Sequence, residues 1–260
     1  MLRFSANLSL LFTERPLAER FAAARAAGFA AVEIQFPYEL PVDVIRRELD
    51  ENGLELVLIN VPAGDLMQGG DGLACVPGRE NAFRHAVMDA LRYAEALDVP
   101  CVNVLAGREP AGEHLLRCLH TLAGNLRYAT ETLQSIGVTT VFEAINTHDM
   151  PRFLISNVAQ MQEMQDTVDH PTLKMQFDCY HMARMGEDVL GALRANIGRI
   201  GHVQFADTPG RHEPGSGELD YDAIFAALRT LPYTGWCGAE YRPRGRTEDS
   251  LVWLWQAGDR

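Results

Sequence analysis

Short runs of apolar residues alternate with longer segments of helical periodicity along the whole chain. The short runs are rich in Val, Ile, Leu and Phe and are bounded by turn residues, which is typical of parallel strands buried on both faces. Between them, apolar residues recur at the spacing of amphipathic helices, for example the leucines between positions 115 and 133. The pattern predicts eight strands, at residues 3–7, 31–34, 54–60, 101–105, 140–143, 175–178, 200–206 and 237–241.

Eight strand–helix units favour one α/β domain, a (β/α)8 TIM barrel over residues 1–260 with its active site at the C-terminal ends of the strands. No linker and no change of composition divides the chain. A doubly wound open sheet would usually carry a glycine-rich phosphate turn after the first strand, and residues 6–16 contain no glycine. Residues 65–79 hold four glycines and are predicted to form a mobile loop over one end of the barrel.

The net charge of −12 disfavours nucleic acid and anionic membrane surfaces as partners. No stretch approaches the ~18 consecutive apolar residues of a membrane span, and the first residues are interpreted as a strand, not a signal peptide. The five cysteines are scattered, with no CxxC pair, which argues for a reducing compartment and against disulfides or a structural zinc site. We therefore expect a cytoplasmic protein.

Lysine chemistry has one candidate, because Lys174 is the only lysine of the chain. It stands at the beginning of the sixth predicted strand, the end of the barrel opposite the expected active site. A mechanism through a Schiff base is therefore disfavoured.

Polar side chains follow four successive apolar runs, where the predicted strands 5 to 8 end. They are Glu143, Asp178, Gln204 and Glu240, at intervals of 35, 26 and 36 residues, each about one strand–helix unit. In a barrel these side chains converge on the mouth. Three carboxylates in one apolar setting repel one another unless a cation neutralises them, and an all-oxygen ligand set favours Mg²⁺ or Mn²⁺ over Zn²⁺.

Motifs along the chain carry a resemblance to a known family. They are RFSANLSLLFTERP, AAVEIQFPYE, NVLAG, FEAINTHDMP, QFDCYHM, HVQFADTPGRHEPGSGELDY and GAEYRP. Over nearly its whole length the chain resembles the hydroxypyruvate isomerase family of the xylose-isomerase-like barrel superfamily. The resemblance implies that Glu143, Asp178, Gln204 and Glu240 are the metal ligands. Many members of the superfamily have His at the position of Gln204. The amide of Gln204 resembles what the hydroxypyruvate isomerase branch has at this position.

The resemblance implies a metal-dependent isomerase that interconverts hydroxypyruvate and tartronate semialdehyde, in glyoxylate or sugar-acid metabolism. A divalent cation would stabilise the enediolate, with Glu143 and Glu240 as the acid/base pair. His181 would hydrogen-bond a substrate oxygen, and Arg211 would clamp the substrate carboxylate. Structural interpretations also exist: His181 as a helix cap, and Arg211 as a solvent-facing loop residue. Asn7 and Asn103 end strands 1 and 4 and are further candidates for the same cavity.

Several alternatives stay open at this point. The substrate could be 2-oxo-tetronate, a four-carbon homologue, or the enzyme could be a ketose 3-epimerase. A barrel endonuclease would need a His-rich three-zinc cluster and a basic surface, which this chain lacks. A non-catalytic barrel that binds sugar acids would be expected to have a broken ligand set. We expect a small hydroxy-oxo acid as the partner, and the aromatic residues of FPYE and SLVWLWQ leave homo-oligomerisation open.

Overall fold

A computed structural model describes residues 2–258 as a closed barrel of parallel strands in the order β1 to β8, with β8 paired to β1. The predicted TIM barrel is thus confirmed. The strands are β1 (Arg3–Asn7), β2 (Ala31–Ile34), β3 (Glu55–Asn60), β4 (Cys101–Val104), β5 (Thr139–Glu143), β6 (Leu173–Asp178), β7 (Ile200–Phe205) and β8 (Trp236–Ala239).

Helices surround the barrel and cover the outer faces of its strands. They are α1 (Leu17–Ala26), α2 (Val42–Asn52), α3 (Glu80–Leu97), α4 (Leu115–Gln134), α5 (Val158–Val168), α6 (Cys179–Arg184), α7 (Val189–Asn196), α8 (Tyr221–Thr230) and α9 (Val252–Gly258). Two of them, α6 and α7, share the connection between β6 and β7. None of the helices in residues 2–258 is both long enough and apolar enough to cross a membrane.

The predicted strand boundaries lie within two residues of the observed ones. The largest differences are at β6, which begins two residues earlier than predicted, and at β8, which ends at Ala239. Glu240 therefore follows β8 directly instead of ending it. Helix α4 departs from its predicted stripe at the N-terminal end: Leu122, Leu126 and Leu133 are buried, whereas Leu115 and Leu116 are exposed. The first turn of α4 is therefore less covered by the rest of the protein than the turns that follow.

The barrel interior changes from apolar to polar toward its C-terminal end. Leu58, Cys101 and Val141 form a small apolar cluster. In the same strands, two residues further along, the inward side chains are those of Asn60, Asn103 and Glu143, because side chains on one face of a strand recur every second residue. All five cysteines are buried and free. The polar end of the interior is where hydrogen-bonding groups for a ligand collect.

The opposite end of the barrel holds an open cavity of ≈ 480 Å³. Lys174, near the beginning of β6, lines it together with His202 and Trp236. The Lys174 Nζ atom lies 3.4 Å from the carbonyl oxygen of Gly198. The structure therefore places the only lysine away from the strand ends that carry the carboxylates, as the sequence predicted.

The glycine-rich segment after β3, predicted to be a mobile loop, is held by several hydrogen bonds. Asp65 Oδ1 accepts hydrogen bonds from the backbone N–H of Gly72 at 2.9 Å and from Arg79 at 3.1 Å. Arg108, beyond β4, donates to the carbonyl of Leu66 at 2.9 Å. The segment is therefore fastened both to itself and to the next loop of the barrel.

Candidate active site

A small cavity of ≈ 70 Å³ lies at the C-terminal ends of the strands. Its ionisable lining groups come from strands 5 to 8 and the loops that follow them, and they are Glu143, Asp149, His181, Arg211 and Glu240. Its apolar walls come from Phe36, Met67, Leu105, Ile145 and Met150. Charged groups that lie side by side between apolar walls are poorly hydrated, so their interactions with one another are strong.

Glu143 is the last residue of β5 and is only 4% exposed. Its Oε1 accepts a hydrogen bond from Asn103 Nδ2 at 2.7 Å, so the buried Asn103 contacts this carboxylate from inside the barrel. Burial raises the pKa of Glu143 to about 8, and the charges of Glu240 and Asp178 add to that effect. An ionised Glu143 is therefore costly without a compensating positive charge.

Asp178 ends β6 and caps α6, because its Oδ1 accepts the backbone N–H of Tyr180 at 2.8 Å. Its Oδ2 is buried and has no hydrogen-bond partner among residues 2–258. Burial raises the pKa of Asp178 to about 7, with Glu240 adding to the rise and Arg211 opposing it. Capping thus occupies one oxygen of this carboxylate and leaves the other directed into the site.

His181 lies inside α6 and is buried. The cap of that helix is Asp178, so His181 is not a helix cap. Its Nδ1 accepts a hydrogen bond from the backbone N–H of Asn146 at 3.4 Å and lies 2.8 Å from Asn146 Nδ2. Burial and the charge of Arg211 hold the pKa of His181 well below its usual value. The ring is therefore neutral, with Nε2 3.5 Å from Asp178 Oδ2.

Arg211 reaches from the loop after β7 into the cavity, where its Nη2 lies 2.6 Å from Glu240 Oε2 and 3.8 Å from Asp178 Oδ2. The guanidinium also lies 5.2 Å from the ring centroid of Tyr180. Burial disfavours its charge, but Glu240 and Asp178 outweigh burial and raise the pKa of Arg211. Its side chain is 18% exposed, which contradicts the solvent-facing interpretation.

Glu240 accepts more hydrogen bonds than Glu143. Besides the Arg211 contact to Oε2, its Oε1 accepts from Asn7 Nδ2 at 2.9 Å and from Gln35 Nε2 at 2.7 Å. Burial raises the pKa of Glu240, and the charge of Arg211 opposes the rise. Asn7, like Asn103, is thus buried and hydrogen-bonded to a carboxylate of the site.

The loop that carries Arg211 is organised around one buried carboxylate, that of Asp207. It accepts hydrogen bonds from backbone N–H groups of the same loop at 2.8–3.0 Å. The donors are Thr208, Gly215, Gly217 and Leu219. Asp207 thus fixes the backbone on both sides of Arg211.

Gln204 lies beside Asp178 in the register of β6 and β7. Its amide is hydrogen-bonded at both ends: Nε2 donates to Glu33 Oε1, and Oε1 accepts from Gln176 Nε2, each at 2.7 Å. The side chain is 1% exposed. Gln204 is therefore part of the buried network beneath the cavity.

Three residues of the cluster fit a divalent cation. Glu143, Asp178 and His181 each offer one ligand atom, and these atoms lie within 4.8 Å of one another. The unpartnered Asp178 Oδ2 and the repulsion between carboxylates both favour a positive charge at this point. Of the four predicted ligands, Glu143 and Asp178 belong to this group. Glu240 and Gln204 lie beside it and are engaged by hydrogen bonds, so the complete four-residue ligand set stays a prediction.

Glu33 has no role predicted from the sequence, yet it is 0% exposed and hydrogen-bonded to Gln204. A signal was present, because Glu33 interrupts the apolar run AAVEI and strand alternation turns it toward the barrel interior. Asn146, which orients His181, was also missed. It stands three residues after Glu143 in a loop whose course no periodicity predicts.

The fold and this site define a class of protein. The family described as "Xylose isomerase-like TIM barrel" matches residues 21–256 of the chain. The chain belongs to this family, as the motifs at its strand ends indicated.

The curated relatives define the group more narrowly. The chain is 42% identical to hydroxypyruvate isomerase of Escherichia coli (strain K12) and 44% identical to 2-oxo-tetronate isomerase of Cupriavidus necator (strain H16). Each alignment covers 254 residues and 98% of both chains. The chain is thus an enzyme of the isomerase class within this family.

Solved structures are similar over the same length. A structure described as AP endonuclease, family 2, from Brucella melitensis has a TM-score of 0.95 and 41% identity, and the match covers 98% of this chain and 99% of that one. A 3-keto-D-glucoside 4-epimerase from E. coli has a TM-score of 0.82 at 22% identity, with coverage of 98% and 99%. The second match supports the fold alone.

Proposed function

We propose that the protein is a metal-dependent isomerase that interconverts hydroxypyruvate and tartronate semialdehyde. The observation that carries the proposal is the convergence of Glu143 and Asp178 around an unpartnered carboxylate oxygen, with His181 and Arg211 beside them. Such a site offers both a cation position and a fixed guanidinium. The names of the full-length relatives support the reaction.

The cation is Mg²⁺ or Mn²⁺, held by Glu143, Asp178, Gln204 and Glu240. Carboxylate and amide oxygens are the ligands that these hard ions prefer. When bound, the cation supplies a positive charge that polarises the substrate carbonyl and stabilises negative charge on the neighbouring oxygens. The raised pKa values of Glu143 and Asp178 support this assignment, because a cation would favour the ionised carboxylates.

Arg211 binds the substrate carboxylate, and His181 binds a substrate oxygen. The guanidinium is pre-positioned by Glu240 and by the Tyr180 ring, and its Nε is buried without a partner among residues 2–258. That N–H is available to an anionic ligand. Neutral His181 carries its proton on Nε2, because Nδ1 accepts from the Asn146 backbone, so Nε2 can donate to a substrate oxygen.

Proton transfer is carried out by Glu143 and Glu240. Glu143 takes a proton from C3 of hydroxypyruvate, the electron pair passes to the carbonyl, and an enediolate forms. A proton is then returned to C2, while the hydroxyl proton moves from the C3 oxygen to the C2 oxygen. Glu143 suits the role of base, since its carboxylate has a single hydrogen-bond donor, Asn103, among the described residues. Burial raises the pKa of Glu240, so this carboxyl group can hold the proton that is returned to C2, and exchange with solvent then removes the proton from Glu143 and restores the one on Glu240.

The size of the cavity favours a short substrate. Its volume of ≈ 70 Å³ and the apolar residues Leu105, Ile145 and Met150 leave little length beyond the charged groups. This supports a three- or four-carbon acid over a ketohexose. 2-Oxo-tetronate is the second candidate, because relatives named for that substrate are as similar to this chain as those named for hydroxypyruvate.

Two other classes have weaker support. The Brucella structure is named an endonuclease, but a net charge of −12 opposes binding to a phosphate backbone. A barrel that only binds sugar acids would not need two buried glutamates, one at the end of β5 and one directly after β8. Reduced cysteines support a cytoplasmic setting, and the proposed substrates suit glyoxylate or sugar-acid metabolism.

Proton NMR in deuterated water tests the proposal. Protein stripped with chelator is given Mg²⁺ or Mn²⁺ and then hydroxypyruvate or 2-oxo-tetronate. We expect metal-dependent product that carries deuterium at the carbon next to the carbonyl, and the faster acid identifies the substrate. Folded, metal-bound protein that gives neither product nor exchange with both acids would overturn the substrate assignment, and ketose epimerisation would be tested next.

The glutamates are tested in the same assay. We expect Glu143→Gln and Glu240→Gln each to lower turnover by about 10²–10⁴-fold with the fold retained, because each removes a proton-transfer group. Glu55→Gln, at the opposite end of the barrel, is the matched control and should keep the parent rate. If both site variants keep it as well, the acid/base assignment is wrong.

A further inference from the structure

Glu33 is a buried acid with four hydrogen-bonding neighbours around it, in the barrel interior beneath the cavity. Its Oε1 accepts from Asn7 Nδ2 at 3.0 Å and from Gln204 Nε2 at 2.7 Å. Its Oε2 accepts from Ser5 Oγ at 3.0 Å and lies 2.9 Å from His202 Nε2. The residue is 0% exposed. Nothing in the proposed reaction uses this carboxylate directly.

An ionised carboxylate only accepts hydrogen bonds, so it dictates which end of a neighbouring amide faces it. Glu33 Oε1 faces two amide NH₂ groups, those of Asn7 and Gln204, and Oε2 accepts from the Ser5 hydroxyl. The carboxylate is therefore an acceptor toward Gln204. Gln204 must turn its Nε2 to Glu33, so its Oε1 accepts from Gln176 and offers its second lone pair to a cation.

The orientation of the Gln204 amide also determines the orientation of the neighbouring Gln176 amide. Its Nε2 donates to Gln204 Oε1, and its own Oε1 is buried with no hydrogen-bond partner among residues 2–258. Turning the Gln176 amide round would bring two oxygens together. Glu33 thus fixes the orientation of Gln204, and Gln204 fixes that of Gln176. The consequence is a Gln176 Oε1 without a hydrogen-bond partner among residues 2–258.

We propose that Glu33 is a positioning residue that orients the Gln204 amide so that its oxygen serves as a ligand of the cation. The same carboxylate orients Asn7, whose Nδ2 donates to both Glu33 and Glu240. Glu33 therefore determines the amide orientation of two side chains, those of Asn7 and Gln204, from the barrel interior beneath the cavity. This inference rests on the proposed function, since it takes Gln204 as a metal ligand.

Gly238 on β8 shows how closely the surrounding barrel fits Glu33. A Cβ atom at position 238 would lie 2.2 Å from Glu33 Oε2. The three atoms nearest to that Cβ all belong to the Glu33 carboxyl group, so a side chain there would displace the carboxylate. Gly238→Ala therefore offers a way to move Glu33 without removing it.

The test is the affinity of folded, metal-free protein for Mn²⁺, measured by electron paramagnetic resonance of the free ion. We expect Glu33→Gln to weaken Mn²⁺ binding by about 10–100-fold, the usual effect of losing a group that orients a ligand. Ser5→Ala is the matched control, because it removes one donor from Glu33 and leaves the Gln204 contact, and it should stay within about twofold of the parent. If Glu33→Gln does not fold, Gly238→Ala takes its place with the same expected loss.

A second background separates orientation from general damage to the barrel. In Gln204→Glu, the ligand has two equivalent oxygens and no end to orient. There we expect Glu33→Gln not to weaken Mn²⁺ binding, because the amide introduced at position 33 can donate to the new carboxylate. A role limited to stability would lower thermal stability in both backgrounds and leave Mn²⁺ affinity unchanged, which would overturn the inference.

Gln204→Ala distinguishes the two possible failures. If it loses Mn²⁺ affinity while Glu33→Gln keeps it, the inference about Glu33 is wrong and the proposed ligand set stands. If Gln204→Ala binds Mn²⁺ like the parent, Gln204 is not a ligand. The proposed ligand set is then at fault, and the inference fails with it.

Discussion

Arg211 Nη2 lies 2.6 Å from Glu240 Oε2, although Arg211 comes from the loop after β7 and Glu240 follows β8. The contact joins two neighbouring strand–helix units across the mouth of the barrel. It also places a fixed positive charge beside the most strongly hydrogen-bonded carboxylate of the site. The position of the guanidinium therefore depends on two independent supports, Glu240 and the loop around Asp207.

The first prediction concerns the geometry of that guanidinium. We expect Arg211→Lys to raise KM for the acid substrate by roughly 10–100-fold, because an ammonium group keeps the charge but loses the planar pair of N–H donors, worth about 1.5–3 kcal/mol when the acceptor is charged. Steady-state kinetics with hydroxypyruvate measures this. Arg244→Lys is the control, since Arg244 donates to the carbonyl of Ser216 outside the cavity. A KM unchanged in both variants would contradict the assigned role of Arg211.

The second prediction concerns the loop. Asp207→Asn should raise KM about tenfold and lower the free energy of unfolding by about 1–3 kcal/mol, because the new NH₂ group cannot accept from the backbone N–H groups that Asp207 holds. Kinetics and urea unfolding measure the two effects. Asp220→Asn, an exposed cap of α8 that accepts from Ala223, should leave KM unchanged. Equal effects of both substitutions would show that the loop does not depend on Asp207.

The third prediction is a pH dependence of the metal-free protein. The pKa values of Glu143 and Asp178 are raised to about 8 and about 7. When the pH lies above the ordinary pKa of a carboxyl group, the folded state therefore still holds protons that the unfolded state has released. The free energy of unfolding should therefore fall as pH rises from the ordinary carboxyl range to about 8. Chemical unfolding across this range checks the slope.

Glu143→Gln is the control for that slope, because it removes one of the carboxyl groups with a raised pKa and should flatten the decline. Saturating Mn²⁺ should reverse the decline, since the cation binds the ionised carboxylates. Stability of the metal-free protein that increases over the same range would show that these carboxyl groups are ionised at lower pH than we infer.

The fourth prediction concerns the packing of the glycine-rich segment after β3 against the loop after β4. Gly107, in the loop after β4, has a φ of +93°, and a Cβ there would lie 2.6 Å from the carbonyl oxygen of Asp71 in the glycine-rich segment. Gly112 has a φ of +81° with no atom near the added Cβ. Both alanine variants carry the backbone cost of about 1–2 kcal/mol, but Gly107→Ala should lower the melting temperature further. Equal melting temperatures would mean that the segment moves aside freely.

The sequence predicted the barrel because its strands are short, apolar and evenly spaced. It also predicted the carboxylates at the ends of β5 and β6, because position on a barrel strand determines which side chains reach the mouth. It did not predict the partners of Gln204, since those depend on Glu33 and Gln176 in strands far apart in sequence. Nor did it predict the setting of His181, which depends on the loop conformation at Asn146.

Lys174 gives the molecule a chemically unique point on one face. Its amine lies at the cavity of the opposite barrel end, and the chain has no other lysine side chain. Apart from the amino terminus, an amine-directed reagent would therefore attach at that end alone. A label or a solid support joined there would leave the carboxylate-lined mouth facing outward, so every immobilised molecule would present its substrate entrance in the same direction.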